Sequence, residues 1–154
     1  MGRHLLARWG LVATLMLLLG GCAKPELLLA DGTGASWQQW QGQWLIINYW
    51  AEWCAPCRKE IPELNELHHE GNGVVVLGVN YDGLRGEALT EVMARMGVEF
   101  PVLVDDPRER WSLPLPSVLP STLIVGPEGD LQDVLVGPQT YQSLAQAVGL
   151  TEEM

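Results

Sequence analysis

Cys54 and Cys57 are separated by two residues, at the point where an apolar segment gives way to a helical pattern. A helix that begins there directs unpaired backbone N–H groups and the positive end of its dipole at Cys54, and both stabilise a thiolate. Cys54 is therefore the predicted nucleophile. Cys57, one turn further along, is placed to attack the mixed disulfide that Cys54 forms with a substrate. The pair predicts thiol–disulfide exchange.

Two other uses of the cysteines need to be weighed. A purely structural disulfide would close so short a loop that it would constrain the unfolded chain very little. A zinc site would have only two thiolates, and His68 and His69 are adjacent on a predicted helix, so they cannot easily point at one metal. We therefore expect a redox-active pair, with no metal and no cofactor.

The elements that must position the pair are a strand before it and a helix after it. Leu45 to Trp50 is a nearly continuous apolar run, which is typical of a strand buried on both faces of a sheet. From Cys57, apolar residues recur at helical spacing as far as Gly71. We predict further strands at 26–30, 74–80, 102–104, 122–125 and 131–136, and further helices at 86–96 and 140–148. This alternation indicates an α/β fold whose sheet is covered on both faces.

The N-terminus has the order of a secretory signal: basic residues, an apolar run over 11–19, then small residues before Cys22. The run is too short to span a bilayer comfortably, since spanning takes about 20 residues. Residues 19–22 resemble a bacterial lipobox, in which the cysteine is lipidated and becomes the new N-terminus. We expect residues 1–21 to be a cleaved signal peptide and 22–154 to form one domain. The alternative is an ordinary signal peptide followed by an incidental cysteine.

Composition limits the possible partners. The chain has 154 residues, 47% hydrophobic and 18% charged, which suits a single domain with a substantial core. Cleavage before Cys22 removes Arg3 and Arg8, which leaves 7 basic against 19 acidic residues and a net charge of −12. Such a surface argues against nucleic acid and against polybasic attachment to anionic lipid. We expect a soluble monomeric domain, tethered to a membrane by its acyl chains.

The segment from Asn48 to Arg58 resembles the active-site segment of thioredoxins, and its continuation to Asn65 resembles the TlpA/ResA/DsbE group of membrane-tethered bacterial thiol oxidoreductases. The resemblance implies a thioredoxin-like fold, with a central mixed sheet flanked by helices. It also implies a helix and a strand inserted between the βαβ and ββα halves, in the segment between Asn80 and Pro120.

One departure from the thioredoxin pattern concerns proton transfer. Thioredoxins have a buried Asp where this chain has Asn48, and an amide cannot exchange a proton at working pH. The TlpA/ResA pattern places an acid three residues after the second cysteine, which here is Glu60. We predict that a partly buried Glu60 moves protons to or from the thiols. The alternative is a solvated glutamate on the helix surface.

A second landmark of the resemblance is a cis-proline that faces the cysteine pair, and Pro120, immediately before a predicted strand, matches it. A cis bond there exposes the backbone of Leu119 for strand-like pairing with a substrate. Trp53 is the predicted exposed platform beside the thiols. The cytochrome c maturation branch usually carries Glu directly after its cis-proline, and Ser121 departs from that.

These features predict an extracytoplasmic disulfide reductase that acts on disulfide-containing proteins. The resemblance implies that a DsbD-like or CcdA-like membrane electron donor recharges it. Within the class, the alternatives are a cytochrome c maturation reductase and a thiol oxidant or isomerase. From other classes come a thioredoxin-fold peroxidase and a non-catalytic binding lipoprotein. The peroxidase motif needs Pro and Thr or Ser where Ile47 and Trp50 stand, and an intact Cys pair with Pro120 argues against an inert module.

Overall fold

The computed structural model describes residues 25–150. The predicted signal peptide and Cys22 lie outside the described residues. Within the described part of the chain, no helix is both long enough and apolar enough to cross a membrane.

A mixed five-stranded sheet forms the centre of the domain, in the order β5-β4-β3-β6-β7. The strands β3, β4 and β5 run parallel, whereas β6 is antiparallel to both β3 and β7. A separate antiparallel pair, β1 and β2, precedes them. The strands are β1 Leu27–Leu28, β2 Gly34–Ala35, β3 Trp44–Trp50, β4 Val74–Asn80, β5 Val102–Leu103, β6 Ser121–Val125 and β7 Leu131–Val136.

Three α-helices connect and cover these strands: α1 Ala55–Glu70, α2 Gly86–Met96 and α3 Tyr141–Ala147. Short 3-10 helices span Trp37–Trp40 and Arg108–Trp111. Because α2 and β5 lie between the parallel β3-α1-β4 unit and the β6-β7-α3 unit, the predicted insertion of one helix and one strand is confirmed.

The core has one layer on each face of the sheet, as the alternation of side chains along β3 requires. Ile46 and Trp50 belong to the layer that includes both cysteines and the buried side of α1. Ile47 and Tyr49 belong to the opposite layer. Asn48 has the same parity as Ile46 and Trp50, so β3 directs one polar side chain into the layer that contains the cysteines.

The sequence prediction was wrong for the first strand. A strand over 26–30 was expected, but only Leu27 and Leu28 pair with β2, and Leu29 makes an isolated bridge to Leu103. The chain then turns at Asp31, whose carboxylate accepts hydrogen bonds from the backbone and hydroxyl of Thr33. This local side-chain bonding forms the turn after Ala30, whose backbone N–H still donates to the Val102 carbonyl at 2.8 Å.

Candidate active site

Cys54 and Cys57 are joined by a disulfide at the N-terminus of α1. Cys54 is the N-cap residue, and its Sγ accepts a hydrogen bond from the backbone N–H of Cys57 at 3.2 Å. Pro56 lies in the first turn, where its missing donor costs nothing. Cys54 is 4% exposed and Cys57 is fully buried. A substrate therefore reaches Cys54 first, and a thiolate formed there faces the unpaired N–H groups of the helix.

Glu60 is buried on the sheet-facing side of α1, one turn after Cys57, with 1% of its surface exposed. Its Oε2 accepts a hydrogen bond from Asn48 Nδ2 at 3.0 Å, and its Oε1 accepts one from the backbone N–H of Gln139 at 3.0 Å. Burial raises the pKa of Glu60 to about 7, although the two hydrogen bonds oppose part of that shift. The structure therefore contradicts a solvated glutamate at this position, and near neutral pH this carboxyl can both give and take a proton.

Asn48 occupies the place where the thioredoxin pattern has an acid. Its side chain is fully buried, and its Nδ2 donates to Thr122 Oγ1 at 2.9 Å as well as to Glu60. Thr122 is the residue paired with Asn48 across the β3–β6 ladder. The amide therefore links the central strands to the carboxylate on α1.

The Leu119–Pro120 peptide bond is cis, as the resemblance implies. The Pro120 carbonyl accepts a hydrogen bond from Gly137 N–H at 2.9 Å, at the start of the loop that leads to Gln139. Leu119 packs against both core layers, one of which contains both cysteines. One short loop thus contacts the proline through Gly137 and the buried carboxylate through Gln139.

Trp53 is the most exposed large apolar side chain among the described residues, at 64%. Its Nε1 donates to both carboxylate oxygens of Asp82, at 3.0 and 3.2 Å, and its ring meets Tyr81 edge-on with centroids 6.1 Å apart. The loop after β4 therefore holds Trp53 in place beside Cys54.

An apolar groove of about 210 Å³ lies between the segment 113–118 and β7. Six large apolar side chains are exposed in the described part of the chain, and four of them line this groove: Leu115, Val118, Val134 and Val136. It leads towards Pro120, because Ser121 lines it and pairs with Val136.

His68 and His69 lie far from Cys54 and Cys57. His68 is eleven residues after Cys57 on α1, which is about 16 Å along the axis. His69 instead pairs with Glu99 at 2.5 Å. This separation excludes a metal site shared by His68, His69 and the Cys54–Cys57 pair.

Sequence reasoning missed three members of this site: Thr122, Gln139 and Asp82. In the sequence, Asn48 is marked only by its departure from the thioredoxin pattern. Gln139 acts through its backbone, which no side-chain pattern could reveal. The pairing of Asn48 with Thr122 was implicit in the two strand predictions, but the register between them was not predicted.

Comparison with known proteins identifies the family. The model of the AhpC/TSA family matches residues 22–134. The chain belongs to the AhpC/TSA family. The thiol-disulfide oxidoreductase ResA of Bacillus subtilis is 30% identical over 168 residues, covering 96% of this chain and 93% of that protein. The thioredoxin-like protein YneN of the same organism is 30% identical over 135 residues, covering 84% and 79%.

Among solved structures, a secreted thiol-disulfide isomerase from Corynebacterium glutamicum is 26% identical, with a TM-score of 0.67 and coverage of 82% of this chain and 81% of its own. The predicted thioredoxin-like fold is confirmed. Within the AhpC/TSA family, this protein is a thiol:disulfide oxidoreductase. The individual roles assigned to Cys54, Cys57, Glu60, Pro120, Trp53 and Leu119 stay predictions.

Proposed function

We propose that this oxidoreductase works as a reductase of protein disulfides on the extracytoplasmic side of a membrane. The observation that carries the proposal is the Cys54–Cys57 pair at a helix N-terminus with an ionisable, buried Glu60 behind it. The helix start favours the Cys54 thiolate, and Glu60 supplies a proton site on the buried side, where water is excluded.

The reaction starts from the dithiol. The Cys54 thiolate attacks one sulfur of the substrate disulfide, which forms a mixed disulfide and releases a substrate thiolate that takes up a proton. The Cys57 thiol gives its proton to the Glu60 carboxylate and attacks Cys54 Sγ. This step forms the Cys54–Cys57 disulfide and releases the second substrate sulfur as a thiolate, which takes up a proton from the solvent. Two electrons pass from the cysteine pair to the substrate.

Protein substrates fit the surface around the pair better than small disulfides do. Trp53 offers an exposed ring beside Cys54, and the apolar groove lined by Val118 and Val136 leads towards Pro120. An extended chain could pair with the backbone at Leu119 while its apolar side chains enter the groove. A small disulfide would reach Cys54 without either contact.

The location is argued from the sequence and from one relative. The predicted signal segment and the lipobox-like residues before Cys22 favour export and lipid anchoring. The structural relative from Corynebacterium is described as secreted. A reductase outside the cytoplasm needs electrons, and the resemblance to the TlpA/ResA/DsbE group favours a DsbD-like or CcdA-like membrane donor.

The test compares Cys54→Ser with Cys57→Ser in insulin reduction by dithiothreitol. Both variants should lose turnover, but only Cys57→Ser should accumulate a mixed disulfide, because it keeps the nucleophile and lacks the resolving thiol. Equal turnover in wild type and Cys54→Ser would eliminate the enzymatic mechanism. The reduction potential of the pair decides the direction, and a value near about −120 mV, as in strong periplasmic oxidants, would overturn the reductase assignment.

A further inference from the structure

The side-chain amide of Asn48 has one atom without a partner. Both Nδ2 protons are used, one on Glu60 at 3.0 Å and one on Thr122 at 2.9 Å, while Oδ1 is buried and accepts no hydrogen bond in the described part of the chain. Buried polar atoms are nearly always paired, so an orphan beside an ionisable group needs an explanation.

This arrangement satisfies only the ionised form of Glu60. A carboxylate accepts hydrogen bonds, but a carboxylic acid must also donate one. The neighbours present only donors: Asn48 Nδ2 at Oε2 and the backbone N–H of Gln139 at Oε1. A proton could occupy the second lone pair of either oxygen, but among these partners it would find only donors and no acceptor.

A half-turn of the Asn48 amide removes the conflict. Oδ1 would then face both former partners, accepting from the Glu60 carboxylic acid and from the Thr122 hydroxyl. Thr122 can reverse its role because a hydroxyl is both a donor and an acceptor. The number of hydrogen bonds is two before and after the turn, and the orphan atom merely changes from Oδ1 to Nδ2.

We propose that Asn48 is a positioning residue whose amide turns with the protonation state of Glu60, so that the carboxyl stays hydrogen bonded whether it holds a proton or not. The inference rests on the proposed function of Glu60 as the proton carrier. The proton moves from the Cys57 thiol to the Glu60 carboxylate, giving a Cys57 thiolate and a carboxylic acid, and the amide turns with it. The reverse transfer restores the first arrangement.

Among residues 25–150, no charged side chain contributes to the raised pKa of Glu60. The strand β3 contributes Asn48, β6 contributes Thr122, and the loop before α3 contributes a backbone amide. On α1 itself the ionisable neighbours are Cys57, one turn before, and Glu63, which accepts the backbone N–H of Tyr141 at 2.8 Å. Cys57 is in the disulfide of the oxidised protein and does not titrate there.

The test follows the two Asn48 amide protons and the Glu60 carboxyl carbon by NMR in the oxidised, isotope-labelled protein, from about pH 5 to pH 9. As Glu60 takes up its proton, both amide protons should lose their hydrogen bonds and their signals should move upfield. The midpoint of this change should equal the midpoint of the Glu60 carboxyl titration. An amide that stays in place would keep its bond to Thr122, so only one proton would shift. That single shift would overturn the proposal.

Two variants make the outcome specific. In Thr122→Val, only the proton facing Glu60 is bonded at high pH, so one proton should shift instead of two. In Glu60→Gln, the amide signals should not titrate. If Glu60→Gln leaves the thiol pKa values and exchange rates unchanged, the proton-transfer function fails, whatever the amide does. A second case is that the Glu60 carboxyl titrates and Glu60→Gln alters the thiol pKa values or exchange rates, but the chemical shift of one Asn48 amide proton does not change with pH. In that case only the turning of Asn48 is refuted.

Discussion

Replacing Glu60 with Gln should remove a pH dependence from the stability of the oxidised protein. Burial raises the pKa of Glu60 from 4.5 to about 7. Because the folded pKa lies above the unfolded one, the folded state binds more protons between those two values. The free energy of unfolding of the wild type should therefore fall as pH rises through this window.

The size of the effect follows from the shift. Each pKa unit corresponds to about 1.36 kcal/mol, so roughly 2 to 3 kcal/mol of stability should disappear between about pH 5 and pH 8. Gln is neutral and can accept from Gln139 N–H while donating to Asn48, as the carboxylic acid does. The variant should therefore lose none of this stability and should exceed the wild type near pH 8 by about the same amount.

Urea unfolding of the oxidised protein at several pH values measures this directly. The matched control is Glu63→Gln, because Glu63 lies on the same helix and also accepts a backbone N–H, that of Tyr141. The control should keep the wild-type pH dependence. Burial lowers the pKa of His68, so this residue makes the free energy of unfolding rise with pH, opposite to the effect of Glu60. The contribution of His68 should be the same in all three proteins. If Glu60→Gln and wild type lose stability in parallel, the argument from burial is refuted.

Three further predictions concern other parts of the site. Asn48→Asp places a second carboxylate against Glu60, so the pKa of one of the two carboxyls should rise above 7. The limb of the pH–rate profile that reports this group should then move to higher pH. If that limb does not move, the two side chains are not in direct contact. Val118→Ser removes roughly 1 kcal/mol of apolar contact in the groove, so kcat/KM for a protein disulfide should fall about fivefold while kcat/KM for a small disulfide is unchanged. Leu28 is also exposed but lies outside the groove, so Leu28→Ser should change neither value. Gly78→Ala should destabilise the fold by about 1 to 3 kcal/mol, because its Cβ would lie 2.8 Å from Trp50 Nε1, whereas Gly126→Ala meets only the flexible Gln132 side chain and should cost less in thermal unfolding.

The central strands and helices could be predicted because their patterns are local. The strand Val74–Asn80, the helix Gly86–Met96 and the strand Leu131–Val136 have the predicted bounds, and each has a glycine at one or both of its ends. β3 begins one residue earlier than predicted, at Trp44. The first strand could not be predicted as well, because its length depends on a pairing partner, β2, that is only two residues long.

The cysteine pair and the cis-proline could also be located in advance, since short motifs mark both. The resemblance predicted a partly buried Glu60, but the helical pattern alone could not decide it, because a glutamate at that spacing is equally compatible with solvent. Its burial depends on the neighbouring β3 and on the loop before α3, whose Gln139 comes 79 residues later in the chain. Contacts of that sequence separation are set by the topology of the sheet, and no local pattern records them.

Asn48 and Glu60 are best understood as one feature of the site. Their side chains touch at 3.0 Å and both are buried, so an acid at each position would place two carboxylates in one water-excluded space. Like charges so close cannot both ionise, and one of the two would be locked in its protonated form at working pH. With a neutral amide on β3, the acid on α1 can titrate near neutrality. The amide at position 48 therefore allows Glu60 to titrate near neutrality, as the proposed proton transfer to the thiols requires.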